Sequence, residues 1–182
     1  MKNINKIKTI FATFMIVAGF MAISSNAAAL KPAYSRKGIF TGFGLGGGIS
    51  LPLEGTLDPL GDIALNLQLG IGASERVTVA LDIDSHLDIN NDIFGGLIVP
   101  GPTVTVFIIK GFNIHASIGA AITFWENLDG VKIGMDAGIG VGYEIWFKTK
   151  WAAYFNIDAD YMLINEFPDL MTINFWMGLR YY

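Results

Sequence analysis

No cysteine occurs among the 182 residues, and that absence closes several routes at once. A disulfide framework, a thiolate metal site and acylation of a lipoprotein cysteine all require a thiol. Charge is scarce as well: 15% of residues are charged against 52% apolar, and mean hydropathy is +0.48. The 12 bases are outnumbered by 16 acids, so the basic footprint of a nucleic-acid partner is missing. Long hydrophobic runs are missing too, outside one place. Ile10 to Ile23 is the only continuous apolar segment, and about fourteen residues is short for a membrane-spanning helix.

Lys2, Lys6 and Lys8 precede that segment, and Ser24-Ser25-Asn26-Ala27-Ala28-Ala29 follows it. Basic start, apolar middle and small-residue end make a secretory signal peptide, cleaved after Ala27 or Ala29. Residues 1–29 are therefore expected to be leader, and 30–182 one mature domain. Twelve bases less the three leader lysines leaves nine against 16 acids, a formal charge of −7.

What fills the mature chain is alternation. In Val131–Phe147 the odd positions read Val131, Ile133, Met135, Ala137, Ile139, Val141, Tyr143, Ile145 and Phe147. The even positions carry Lys132, Asp136, Glu144, Trp146 and four glycines. A period of two is a β-strand, because successive side chains point to opposite faces. The same pattern runs through Gly38–Leu51, Asp62–Gly72, Val77–Ile89, Phe112–Trp125, Trp151–Leu163 and Met171–Tyr182. Between Asn90 and Gly111 both parities are apolar and Pro100 and Pro102 intervene. That region reads as one more strand with its core at Thr103–Ile109 and a start as early as Ile93. Eight strands result.

Their connections alternate in length and in charge. Ser74-Glu75-Arg76, Lys110-Gly111 and Lys148-Thr149-Lys150 are tight turns. These turns and the N-terminal lead hold Lys31, Arg36, Lys37, Arg76, Lys110, Lys148 and Lys150. The other connections are mostly longer and hold Glu54, Asp58, Asp92, Glu126, Asp129, Glu166 and Asp169 without a base. The expected fold is all-β: an eight-stranded antiparallel up-and-down barrel with two chemically different ends.

Glycine and the aromatics decide what lies outside it. Gly42, Gly44, Gly46 and Gly48, with Gly134, Gly138, Gly140 and Gly142, share the polar face. Strand glycine exposed to water is unfavourable, whereas inside a narrow barrel it leaves room for Trp125, Trp146, Tyr154 and Trp176 on that face. On the apolar face, Phe112, Tyr143, Phe147, Trp151 and Tyr181 gather near the short-turn end, forming a girdle where a lipid face meets the interface. Phe124 and Tyr161 begin a sparser ring at the other end. Apolar face to lipid and polar face to lumen is the pattern of a transmembrane β-barrel.

The leader, the stretch GIFTGFGLGGGIS, the strand DAGIGVGYEIWF and the aromatic end INFWMGLRYY together resemble the small outer-membrane β-barrel proteins. The likeness is to the eight-stranded OmpA/OmpX/OmpW-like group and covers nearly all of the mature chain. It implies residence in the bacterial outer membrane and contact with its lipid. It also implies insertion by a barrel-assembly machinery that reads the aromatic C-terminal strand. Both termini are expected in the periplasm, and the barrel as a monomer without a peptidoglycan-anchoring domain.

Three motifs bear on chemistry. Gly42-x-Gly44-x-x-Gly47 matches a dinucleotide fingerprint as text, but Ile49, Leu51 and Pro52 follow where a helix must begin. Asp84-Ser85-His86 with Asp88 is the best catalytic candidate, since some small outer-membrane barrels modify lipids. Ser85 has the opposite parity to His86, however, and a nucleophile must lie within hydrogen-bond reach of its base. His115 and Glu144 read as lumen neighbours sharing a structural hydrogen bond. The most unusual set is acidic: Asp62, Asp82, Asp84, Asp88, Asp136, Glu144, Asp158 and Asp160 face the lumen beside His86, against Lys132 and Arg180. So many carboxylates need cations, water or protons. A hydrated structural network is the reading carried forward, with a narrow cation-favouring channel as alternative and a lipid-modifying enzyme third. No cofactor, metal site or catalysis is expected.

Overall fold

The computed structural model describes residues 34–53, 59–90, 93–125, 130–165 and 168–182. The expected leader lies outside the described residues, as do the side chains of Asp88 and Trp125. Eight strands follow one another: β1 (Gly38–Pro52), β2 (Leu60–Gly72), β3 (Val77–Asn90), β4 (Ile93–Ile109), β5 (Phe112–Trp125), β6 (Lys132–Lys148), β7 (Trp151–Ile164) and β8 (Leu170–Tyr181). Each is antiparallel to the next, and β1 pairs with β8 to close the barrel. Closure leaves no unpaired sheet edge.

Alternation sorts the side chains as the sequence predicts. Ile39, Met135 and Ile139 are 72%, 70% and 69% exposed, while Asn66, Asp82, Thr172 and Arg180 are buried. The exposed apolar side chains run round all eight strands, far more than a water-soluble surface presents in one patch. Strands of 12 to 17 residues exceed the roughly 9–11 a tilted strand needs to cross a bilayer. The fold is a transmembrane barrel. Its outer wall replaces water with hydrocarbon, and its core is the polar interior.

The ambiguous segment resolves as one strand from Ile93, longer than its predicted core. Its odd positions Leu97, Val99, Thr103, Thr105 and Phe107 are buried inside. Pro100 and Pro102 fall on the other parity. The ladder to β5 holds the same register on both sides of a gap from Ile98–Ile122 to Thr103–Ser117, across the two residues with no N–H to give.

The inward glycines are spaces for specific partners. A Cβ on Gly44 would run into the Tyr154 hydroxyl, one on Gly140 into His115 and Asp158, and one on Gly138 into Asp160 and Ser117. Gly44→Ala is therefore expected to displace Tyr154 from Asn66 and cost about 1–3 kcal/mol, the usual penalty for overpacking. Gly61 has nothing within 4 Å of a built Cβ, so Gly61→Ala should stay within about 0.5 kcal/mol of wild type. Urea midpoints of the refolded barrel check both. Equal midpoints for the two variants would remove the space-filling role given to Gly44.

Candidate functional site

The interior is built in three levels. At the short-turn mouth, the segment before β1 turns inward. Arg36, 5% exposed, donates from Nε to Glu144 Oε1 at 2.8 Å. Its Nη1 and Nη2 reach the carbonyls of Glu75 (3.1 Å) and Lys110 (3.3 Å), and its guanidinium lies 3.7 Å over the Phe107 ring. A Cβ on Gly72 would strike the Arg36 carbonyl, so that glycine lets the lead pass. From β8, Arg180 Nη1 reaches Glu144 Oε2 at 3.3 Å, and Tyr182 donates its hydroxyl to the same oxygen at 2.6 Å. Tyr34, Trp146 and Tyr182 stack across the mouth at 4.9 and 4.8 Å.

Glu75, on the β2–β3 turn outside the membrane-spanning strands, holds the lead. Its carboxylate accepts from Ser35 Oγ at 2.6 Å and from the Arg36 amide at 3.1 Å. The Ser35 bond first, then the amide, holds its pKa below the usual carboxylate range.

The middle level is polar. Arg180 Nε donates to Gln68 Oε1 at 2.8 Å, and Gln68 Nε2 to Asp82 Oδ2 at 3.3 Å. Tyr154 donates to Asn66 Oδ1 at 2.7 Å, and Asn66 Nδ2 to Asp84 Oδ1 at 2.6 Å. His115 Nε2 meets Asp158 Oδ1 at 2.6 Å. Asp160 Oδ2 accepts from Thr172 and Asn174 at 3.2 and 2.8 Å. All of these but Thr172 and Asn174 line a cavity of about 30 Å³, room for a water or two. Asp82 Oδ1, on its wall, has no protein partner among the described residues.

Toward the longer-loop end the interior turns apolar. Leu97 and Val99 from β4, Ala121 from β5, Met162 and Ile164 from β7 and Leu170 from β8 form one buried cluster. With β6 between them, these strands make up half the barrel, so the cluster lines half of the bore at this end. Beside it, His86 Nδ1 lies 3.4 Å from Asp62 Oδ2 without hydrogen-bond alignment, and its ring meets Trp176 edge-on at 5.7 Å.

The placement of the predicted residues is now plain. Asp82, Asp84, His86, Asp136, Glu144, Asp158, Asp160 and Arg180 all turn into the interior, and Lys132 lies half-buried on the same face of β6. They do not form one cluster: Glu144 belongs to the mouth, Asp82, Asp84, Asp158 and Asp160 to the cavity, and Asp136 and His86 to neither. Asp88 stands opposite Asp62 in register. His115 and Glu144 are not bonded to each other, contrary to the sequence reading. The register sets His115 against Gly140, while Glu144 sits beyond, opposite Gly111. Ser85 pairs with outward Leu65 and Ile98, so the wall of the barrel separates it from His86. Among the described residues no three His, Cys, Asp or Glu side chains converge as metal ligands. Phe112, Tyr143, Phe147, Trp151 and Tyr181 are exposed on the outer wall, with Trp151 and Tyr181 5.1 Å apart. Arg36 was missed, because it precedes the first strand and no periodicity reaches it.

No family model and no curated protein sequence matches the chain. Solved structures do. The crystal structure of Neisserial surface protein A matches with a TM-score of 0.65 at 9% identity, covering 80% of this chain and 97% of that one. Ail, the attachment invasion locus protein of Yersinia pestis, matches with a TM-score of 0.55 at 12% identity, covering 80% of this chain and 98% of that one. At such identities the likeness is one of fold.

Proposed function

On the fold of the small outer-membrane barrels, we propose that this protein is an integral outer-membrane barrel with a structural envelope role, neither conducting nor catalytic. The observation that carries the reading is the filled interior. A buried apolar cluster lines half of the bore toward the longer-loop end, and the Arg36–Glu144–Arg180 group with its aromatic stack crosses the other end. The polar cavity between them holds about 30 Å³, room for a water or two rather than an open path. The short turns and the lead before β1 face the periplasm, with the longer acidic loops outside the cell. The excess of carboxylates round the cavity keeps a cation-favouring channel as the competing reading.

One purified sample tests both. The mature protein should fractionate with outer membranes, shift on gels between unboiled and boiled samples, and give no stepwise conductance in planar bilayers. Recovery from the soluble periplasm would remove the membrane assignment. Cation-selective steps that fall when Asp84, Asp158 and Asp160 are neutralised together would replace the filled barrel with a channel.

A further inference from the structure

Lys37, Arg76, Lys110, Lys148 and Lys150 are all exposed at the short-turn end. The single described acid on the turns there, Glu75, already has both carboxylate oxygens engaged by Ser35 and Arg36. Five exposed bases against that one carboxylate leave the rim net positive. It lies directly beyond the aromatic girdle of Phe112, Tyr143, Phe147, Trp151 and Tyr181, which fixes its depth at the plane of lipid head groups. Lys150 Nζ stands 5.7 Å from the centroid of the Tyr181 ring, tying rim and girdle together.

The bases are also held in place. Every turn that carries them is bound to an adjoining element through its own carbonyl. The Arg76 carbonyl accepts from the Phe107 amide at 2.7 Å, and the Lys150 carbonyl from the Tyr182 amide at 2.9 Å. The Lys110 carbonyl accepts from Arg36 Nη2 at 3.3 Å. A rim whose backbone is already ordered loses less freedom on binding. Lysine meets phosphate as a point charge and arginine as a fork. The connections at the opposite end carry acids instead and repel the same group.

We propose that the turn-side rim is a binding surface for the phosphate head groups of anionic phospholipids in the leaflet that the girdle contacts. The proposal rests on the membrane reading above and adds a lipid preference to it. Zwitterionic head groups offer the same phosphate but no net charge, so the preference is electrostatic and screened by salt.

The test inserts the mature protein into vesicles of phosphatidylcholine mixed with phosphatidylglycerol, extracts it in mild detergent and weighs its retained lipids by native mass spectrometry. Phosphatidylglycerol should be retained about tenfold beyond its share of the mixture, since each base near the surface favours anionic lipid. The triple variant Arg76→Gln, Lys148→Gln, Lys150→Gln should lower that preference to about twofold or less, as should high salt. These side chains make no interior contact, so the gel shift that reports folding should survive. Equal retention of the two lipids, or a preference unchanged in the variant, overturns the rim site. A chain that enters neither these vesicles nor phosphatidylcholine alone counts against the membrane reading itself.

Discussion

Replacing Glu144 by alanine should cost the folded barrel about 3–5 kcal/mol, the range for breaking a buried ion pair from one side. The carboxylate is completely buried, and the guanidinium groups it joins, Arg36 and Arg180, have side chains only 6% and 3% exposed. Without it, two cations face each other across a mouth closed by aromatic rings, and the Tyr182 hydroxyl loses its acceptor. Removing one cation as well should recover part of the loss, so Glu144→Ala with Arg180→Met is expected to be more stable than Glu144→Ala alone. Urea unfolding in detergent, followed by the gel shift, measures both. A Glu144→Ala barrel as stable as wild type would mean that the mouth takes up water freely and that no closed plug exists there.

The second large effect lies on the outer wall. Ile139 is near the middle of β6, between Ala116 of β5 and Ala159 of β7. Arginine at that depth should destabilise the inserted barrel by about 2–4 kcal/mol, the cost of a base at the bilayer midplane. Asp136→Asn, on the inward face of the same strand between Gly119 and Met162, should cost less, because it keeps the side chain's size and polarity and brings no charge into the hydrocarbon. A cysteine at 139 gives a direct reading of its surroundings, and no native cysteine competes for label. It should react with a lipid-phase thiol reagent and resist a membrane-impermeant one. Resistance to both reagents would place Ile139 in a buried core and contradict the transmembrane barrel.

Much of the fold was legible because parity is a local property. A run such as Asp136, Gly138, Gly140, Gly142 and Glu144 declares its face without reference to any other strand. Partnership is not local. Whether Glu144 meets His115 or Arg180 depends on how far each strand slides along the next, and the sequence of one strand does not carry that offset. The same limit hid the apolar cluster. Met162, Ile164 and Leu170 share the inward parity of Asp158 and Asp160, yet lie beyond them toward the longer loops, where Leu97 and Val99 arrive from β4. In β4 both faces are apolar, so parity was silent there. Arg36 was beyond any periodic argument, since its burial follows from the two mouth acids, Glu75 and Glu144, that receive its backbone and its side chain.

The seam between β1 and β8 has a consequence for the order of events in folding. It joins the strands farthest apart in the chain, with Thr41 against Tyr181, and the entropy of closing so long a loop delays such a pairing relative to the hairpins. On the inward face of β1 the seam is largely bare backbone, and the large groups filling the space behind it, Trp176 and Arg180, come from β8. A Cβ on Gly46 would collide with Trp176, and one on Gly42 lies 3.3 Å from Arg180 Cγ. Those side chains already lie on the inward face of β8, so the last pairing closes over them without a β1 side chain in the way. The glycines of β1 thus act as a late-closing zipper, smooth enough to draw shut over contents that are already packed.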